Sequence, residues 1–247
     1  MLIATINHNL PDMTDNLYNK LNVSKRDRDE IIVVDNGSSN IAKHTTHRVD
    51  TNCFFGGAFN VILDYFLNET KQEYLFVINN DILYRGNQFT FNIIENEISE
   101  NKLDVYSPSI INTSITQCHW KQMLNWNTKT VRLVKWIDFQ SPILSRDICQ
   151  IINQYPDELI YGWGLDFYTG IIANTHNMKT GVSDNIVFTH MDGQTFKQNA
   201  IDIGISQFCY NAEKNMNEYF LNSEYNSLYH TYRKYGEDYD IFYNSQL

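Results

Sequence analysis

The sequence is short of basic residues and has no long apolar run. Its 247 residues include 19 Lys and Arg against 29 Asp and Glu, which gives a formal net charge of −10. This charge argues against a general surface for nucleic acid or for an anionic membrane. The amino terminus lacks the pattern of a signal peptide, and no run approaches the roughly 18 apolar residues of a spanning helix. We therefore expect a soluble protein without a transmembrane segment.

Paired cysteines are also missing. Cys53, Cys118, Cys149 and Cys209 are scattered along the chain without a Cys-x-x-Cys pair. This spacing indicates neither a structural zinc site nor a disulfide framework, and reduced thiols in a cytoplasmic protein are the simpler interpretation. The length is near the upper limit for one hydrophobic core, so we expect one main domain plus appendages.

What the sequence does contain is an alternation of short apolar runs with helical patterns. Through residue 111 this alternation predicts a parallel sheet of the nucleotide-binding type. Residues 115–136 then alternate apolar and polar side chains, which predicts an antiparallel hairpin, and residues from about 195 onward have helical spacing in places. The predicted strands are 2–6, 31–34, 47–50, 74–78, 136–144 and 186–190, and the predicted helices are 11–21, one opening within 52–60, 89–98, one capped by Ser145, and 167–173.

Three predicted strands end abruptly in polar or acidic side chains. Asp81 closes an Asn-Asn-Asp run after residues 74–78, Asp35 follows residues 31–34, and His190 follows Ile-Val-Phe-Thr. Because the carboxyl ends of parallel strands meet at one sheet edge, the two acids and the imidazole are predicted to converge there. Such an edge suits a divalent cation that holds a phosphorylated substrate.

Each of these features also has an ordinary structural explanation. Asp35 precedes Asn-Gly-Ser-Ser, which forms a turn for local reasons. The pair Gly56-Gly57 is explained equally well by a tight loop alone. A single histidine such as His190 is usually structural, and Asp166 stands where an acid stabilises the start of a helix. The joint occurrence in this order is more specific than any one member.

In order and spacing, these motifs resemble the family 2 type of glycosyltransferase with the GT-A fold. The resemblance covers about residues 1–193. It implies an α/β GT-A fold, in which a Rossmann-like, mixed nucleotide-binding sheet has helices on both faces. The helical spacing of the later residues predicts a helical C-terminal extension in addition. Residues 1–111 would form the nucleotide-sugar half, residues 112–193 the acceptor half, and residues 194–247 the extension, which either packs on the core or mediates homo-oligomerisation. The motifs lie at residues 4–7, 33–39, 52–60, 79–81, 138–146, 162–166 and 190.

The resemblance also implies roles for single residues. Asp166 matches the general base of inverting members, while Asp81 and His190 match the positions that hold Mn²⁺ or Mg²⁺. Two positions depart from the family pattern, because Asn79 replaces the first acid of the metal motif and Leu165 replaces a frequent Glu. The implied acceptor contacts are Trp163, Gly164 and Asp138, and the implied donor contacts are Thr5, Asn7, Asp35, Asn52, Gly57, Asn60, Asn79 and Asn80.

The function that this resemblance implies is a cytoplasmic, metal-dependent, inverting glycosyltransferase. It would move a sugar from a nucleoside-diphosphate donor to a hydroxyl of a glycan, lipid-linked or protein-linked acceptor. UDP or dTDP is favoured because Asp35 suits a pyrimidine imide, and GDP stays open. A sugar-nucleotide pyrophosphorylase is one alternative, although residues 4–11 contain no Gly, Lys or Arg for its phosphate loop. A non-catalytic carbohydrate-binding relative is the other, since Asn79 and Leu165 depart from the pattern.

Overall fold

A computed structural model describes residues 1–112, 120–191, 193–201 and 203–237. Within these residues, helices surround one mixed sheet. Its strands are β1 (Leu2–Asn7), β2 (Glu30–Asn36), β3 (His47–Val49), β4 (Tyr74–Val77), β5 (Ile82–Leu83), β6 (Val105–Asn112), β7 (Val131–Val134), β8 (Ile143–Ser145) and β9 (Thr180–His190). The helices are α1 (Pro11–Ser24), α2 (Phe54–Glu69), α3 (Thr90–Asn101), α4 (Arg146–Ile152), α5 (Leu165–Thr175), α6 (Gln194–Asn199), α7 (Ile205–Asn222) and α8 (Asn226–Glu237).

The sheet has a parallel amino-terminal half and a mixed carboxyl-terminal half. Its strand order is β3-β2-β1-β4-β8-β6-β9-β5, with β7 paired to β9. Strands β1 to β4 pair in parallel, whereas β8 runs antiparallel to β4 and β6. All six residues of β1 are buried, as expected for a parallel strand that is covered on both faces. The parallel sheet predicted for the first part of the chain is therefore confirmed.

The helices follow the predicted pattern with longer ends. The predicted helix over residues 11–21 extends to Ser24, and that over residues 89–98 covers Thr90 to Asn101. The backbone N–H of Ile148 donates to Ser145 Oγ at 3.4 Å, so the predicted cap of α4 is present. Pro11 begins α1, where its missing N–H costs nothing.

The predicted hairpin over residues 115–136 is wrong in its described part. Residues 120–136 contain a short 3₁₀ helix at Lys121–Met123, and β7 pairs antiparallel with β9 instead of with a neighbour in the hairpin. A buried ion pair explains this, because Arg132 Nη2 lies 3.0 Å from Asp184 Oδ1 on β9. Residues 113–119 lie outside the described residues.

The predicted strand over residues 136–144 is also mostly wrong, since only Ile143–Ser145 forms β8. Pro142 has no N–H for a ladder hydrogen bond. The preceding residues nevertheless follow the end of β4, because the backbone N–H groups of Val77 and Asn79 donate to Pro142 O and Gln140 O at 3.0 and 3.1 Å. This irregular segment brings Asp138 and Gln140 to the sheet edge.

The two long C-terminal helices pack on the main core. Phe220 of α7 stacks on Tyr229 of α8 with ring centroids 4.4 Å apart, and both side chains are buried. The indole Nε1 of Trp136 donates to the backbone oxygen of Tyr232 at 3.0 Å. Among the described helices, none combines the length and the apolar character needed to cross a membrane.

Candidate active site

Two neighbouring cavities open beside the carboxyl edge of the sheet. The first, which we call the sheet-edge cavity, has a volume of about 190 Å³ and is lined by Asn79, Asp81 and His190 among others. The second, the helix-side cavity, has a volume of about 320 Å³. The two cavities share the lining residues Asp138, Phe139, Gly162 and Trp163.

Asp81 and His190 meet in the sheet-edge cavity because their strands are adjacent. The short strand β5, directly after Asp81, pairs antiparallel with β9, and Ile82 is in register with His190. As a result, His190 Nε2 lies 3.4 Å from Asp81 Oδ2. Of the two acids predicted to converge with the imidazole, Asp81 meets His190 at this edge, whereas Asp35 lines neither cavity.

This pair fits part of the coordination shell of a hard divalent cation. Within the described residues, no group of three or more His, Cys, Asp and Glu side chains is arranged to hold a metal ion. Mg²⁺ and Mn²⁺ are, however, often bound by one or two protein ligands, with substrate phosphates and water completing the shell. The oxygen of Asp81 and the nitrogen of His190 suit that arrangement, and the side-chain amide of Asn79 lines the same cavity.

Asp166 lies in the helix-side cavity, at the first turn of α5. Gly164 precedes this helix with a φ of +92°, a backbone conformation that favours glycine. A Cβ at this position would also lie 2.9 Å from Met216 Cγ on α7. The backbone N–H of Phe167 donates to Asp166 Oδ1 at 2.8 Å and holds the carboxyl in place. Burial, reinforced by the negative charge of Asp138, raises the pKa of Asp166 to about 8.

Residues 138–140 lie between the two cavities and are held there by hydrogen bonds. Gln140 Nε2 donates to Asp138 Oδ2 at 2.8 Å, while the backbone oxygen of Gln140 accepts from the N–H of Asn79. Asp138 lines both cavities and Trp163, with 36% of its surface exposed, forms part of the same wall. Asp138 and Trp163 therefore border both cavities.

A third polar cluster lies at the ends of β1 and β2. Asn7 Nδ2 donates to Asp35 Oδ1 at 2.8 Å and to Ser38 Oγ at 3.1 Å. The backbone N–H of Ser38 donates to Asp35 Oδ2 at 3.2 Å, so one oxygen of this buried carboxylate accepts from the adjacent strand and the other from its own turn. Thr5, a predicted donor contact, is fully buried within β1.

Two polar residues of this region are not among the predicted contacts. His8 Nδ1 lies 2.7 Å from the backbone oxygen of Asn36, and His8 Nε2 lies 3.3 Å from Asn52 Nδ2. These partners fit the tautomer in which Nδ1 donates and Nε2 accepts. Asn36 Nδ2 also donates to Asn52 Oδ1 at 3.0 Å. The position of His8 and Asn36 directly at the ends of two strands is the sequence signal that could have identified them.

Of the eight predicted donor contacts, Asn79 alone lines either of the two cavities. Thr5, Asn7, Asp35 and Asn52 belong to the polar cluster described above, and the other three lie elsewhere. The side chain of Asn60 donates to Tyr155 O at 3.0 Å and accepts from Tyr155 N at 2.8 Å, so it joins α2 to the loop after α4. Asn80 Nδ2 donates to Thr14 Oγ1 at 3.0 Å, beneath α1. A Cβ on Gly57 would lie 2.8 Å from Cys53 Cβ, which shows tight packing at the start of α2.

Several cavity residues were not predicted as contacts. Phe55 and Gln140 lie within the motifs at residues 52–60 and 138–146 but were given no role, whereas Tyr161 and Phe208 lie outside the motifs, and all four line the sheet-edge cavity. The lining of the helix-side cavity includes three residues of the C-terminal helices, Glu213, Met216 and Arg233. These two helices begin after residue 200, so only the folded structure brings their side chains beside Asp166.

The architecture is similar to that of solved glycosyltransferase structures. No model of a known protein family and no curated protein matches the sequence. TarS of S. aureus, residues 1–349, is 16% identical, and the alignment covers 91% of this chain and 73% of that one with a TM-score of 0.56. The mannosyltransferase PcManGT from Pyrobaculum calidifontis, in complex with GDP-Man and Mn²⁺, is 11% identical, with coverage of 89% and 62% and a TM-score of 0.58. This chain has the GT-A fold.

The GT-A assignment confirms the fold class predicted from the motifs. TarS, residues 1–349, has also been solved in complex with UDP and with UDP-GlcNAc, at TM-scores of 0.55 and 0.53 to this chain. At identities of 16% and 11%, these likenesses show the fold alone.

Proposed function

We propose that this chain is a metal-dependent, inverting glycosyltransferase. The observation that carries the proposal is the pair of neighbouring cavities, one with Asp81 and His190 and the other with the buried carboxyl of Asp166. A metal ion held by Asp81 and His190 would suit the donor diphosphate, and the carboxylate of Asp166 would accept the proton of the acceptor hydroxyl. The shared wall at Asp138 and Trp163 lies where donor and acceptor would meet.

The acceptor hydroxyl oxygen attacks the anomeric carbon of the donor sugar, and the bond from that carbon to the diphosphate oxygen breaks. The bonding electron pair leaves with the nucleoside diphosphate, and the hydroxyl proton passes to the carboxylate of Asp166. Attack from the face opposite the leaving group inverts the anomeric centre. Burial raises the pKa of Asp166 to about 8, so its carboxylate is a stronger base than an ordinary one, and transfer should speed up as the pH rises toward 8 and this carboxyl loses its proton.

In this proposal Asp81 and His190 hold Mn²⁺ or Mg²⁺. When bound, such a cation supplies positive charge for the departing diphosphate. The complex of the mannosyltransferase PcManGT with GDP-Man and Mn²⁺ supports this cofactor, and so does the net charge of −10, because the chain itself offers little excess positive charge to a phosphorylated ligand.

We infer a UDP- or dTDP-sugar donor, with GDP still open. The TarS complexes with UDP and UDP-GlcNAc support a pyrimidine base, whereas the GDP-Man complex of PcManGT keeps a guanine base in consideration. The acceptor is a hydroxyl of a glycan, lipid-linked or protein-linked molecule, with Trp163, Gly164 and Asp138 as its predicted contacts. The predicted donor contacts remain Thr5, Asn7, Asp35, Asn52, Gly57, Asn60, Asn79 and Asn80.

The test is release of nucleoside diphosphate from a panel of UDP-, dTDP- and GDP-sugars, with Mn²⁺ and with a chelator. Metal-dependent release from at least one donor is the expected result. A non-catalytic carbohydrate-binding relative would release nothing. A sugar-nucleotide pyrophosphorylase would instead release pyrophosphate from a nucleoside triphosphate and a sugar 1-phosphate. Either result would overturn the proposal.

Cellular location and assembly complete the proposal. Cys53, Cys149 and Cys209 are free thiols, which favours a reducing compartment and hence the cytoplasm; Cys118 lies outside the described residues. A homo-oligomer formed through the C-terminal region remains a prediction that light scattering after size-exclusion chromatography can check.

A further inference from the structure

Part of the wall of the helix-side cavity is built by the two long C-terminal helices, α7 and α8. Glu213 and Met216 come from α7 and Arg233 comes from α8. Arg233 Nη2 lies 3.5 Å from Glu213 Oε1, and Arg233 Nη1 donates to the hydroxyl of Tyr229 at 3.0 Å. Both charged side chains are partly exposed, at 35% for Arg233 and 52% for Glu213, so a ligand can reach them.

Aromatic side chains supply much of the remaining lining. Trp120, Trp163 and Phe167 line the cavity together with Asp166. Apolar walls with a few well-placed polar groups are typical of small-molecule sites. An aromatic face packs well against the C–H face of a sugar ring, while a carboxylate and a guanidinium form charge-assisted hydrogen bonds with its hydroxyl groups.

The charges in this cavity also discriminate among acceptors. Its lining includes the carboxyl groups of Asp138, Asp166 and Glu213, against one guanidinium, that of Arg233. A phosphate or carboxylate on the acceptor would meet an excess of acidic groups, which disfavours it. A purely apolar alcohol would cover part of Glu213 and Arg233 without offering either side chain a hydrogen bond, which disfavours it.

We propose that Glu213 and Arg233 are specificity-determining residues that bind the hydroxyl groups of a neutral sugar ring at the end of the acceptor. The ring packs on Trp163 and directs one hydroxyl to Asp166. The inference rests on the proposed glycosyl transfer and narrows its acceptor to a glycan end. The C-terminal helices are thereby part of the acceptor site.

The test is calorimetric titration of methyl glycosides of glucose, galactose, mannose and N-acetylglucosamine into the full chain, with glycerol 3-phosphate as an anionic probe. At least one methyl glycoside should bind. Glu213→Ala and Arg233→Ala should each weaken it about tenfold, the usual loss for a charge-assisted hydrogen bond. Glu218→Ala and Lys234→Ala are matched controls, since they remove like charges from exposed positions of the same helices and should leave the affinity unchanged.

Three results would overturn the inference: no methyl glycoside binds, binding is equal in all five proteins, or glycerol 3-phosphate binds more tightly than every glycoside. Far-ultraviolet circular dichroism and thermal melting of each variant check that α7 and α8 remain folded. Release of nucleoside diphosphate from the donor by the wild-type protein is measured separately. If this release occurs but the variants do not change glycoside affinity, only the acceptor inference fails. Glycoside binding without any release of nucleoside diphosphate contradicts the glycosyltransferase proposal.

Discussion

At the scale of single residues, Asp166 combines a fixed orientation with a raised pKa. Asp166→Asn keeps the shape of this side chain but cannot accept a proton. We expect transfer to fall by roughly 10² to 10⁴, the usual range for loss of a general base. Donor affinity, measured by calorimetry on the same preparation, should be unchanged. Transfer within a few-fold of wild type would remove Asp166 as the base and direct attention to Asp138.

The proposed metal site gives a second prediction at this scale. Asp81→Ala should abolish the Mn²⁺-dependent part of nucleoside-diphosphate binding, because it removes the carboxylate that faces His190 at 3.4 Å. His190→Ala should weaken the metal less, since a neutral imidazole contributes no formal charge. Calorimetry with UDP, with and without Mn²⁺, measures both effects. An equal or greater loss in His190→Ala would reverse the order of the two ligands.

At the scale of elements, the start of α2 is pressed against the loop that leads to Trp163. The N–H of Gly56 donates to Ile160 O at 2.8 Å, and a Cβ at this position would lie 2.4 Å from Leu159 O. In an unhindered helix, Gly→Ala stabilises by about 1 kcal/mol. Here the clash is with backbone atoms, so it cannot be relieved by a rotamer change.

We therefore expect Gly56→Ala to lower the free energy of unfolding by about 1–3 kcal/mol, the usual cost of overpacking. Urea denaturation measures this change. Asp64→Ala, at an exposed position of the same helix, is the control and should change stability by less than about 0.5 kcal/mol. A more stable Gly56→Ala variant would show that α2 can move away from the loop.

The helices and strands were predicted correctly where the signal lies within a few residues, and wrongly where a distant residue determines the pairing of a strand. Pro11 and Ser145 mark helix starts by their own chemistry: α1 begins at Pro11, and α4 begins directly after its cap Ser145. By contrast, the alternation in residues 115–136 did not disclose that Arg132 pairs with Asp184, 52 residues later in the chain. That contact draws β7 to β9 and replaces the predicted hairpin.

At the scale of the whole molecule, burial of Asp166 makes global stability depend on pH. Its pKa of about 8 in the folded protein lies above the ordinary value of 3.8. Between these values the folded state keeps a proton that the unfolded state has lost, so this group's contribution to stability falls as the pH rises from about 4 to about 8. Asp166→Asn removes this contribution.

The measurement is urea unfolding of wild type and Asp166→Asn at pH 5 and at pH 8.5. The difference in unfolding free energy between the two proteins should shift in favour of Asp166→Asn at the higher pH. Other groups that titrate in this range are common to both proteins and cancel in the comparison. A difference that does not change with pH would mean that the carboxyl of Asp166 is well solvated in the folded protein.

The sequence by itself determined the strand and helix alternation and the polar residues at the strand ends, because these depend on periodicity and on chemistry within a few residues. The GT-A fold class followed from the resemblance of its motifs to a known family. Only the tertiary structure decided which side chains share a cavity. It pairs Asp81 with His190, turns Asn60 toward the backbone of Tyr155, and buries Asp166 in a cavity walled by α7 and α8. The physical reason is that burial and electrostatic environment arise from residues far apart in the chain, and no local pattern records those neighbours.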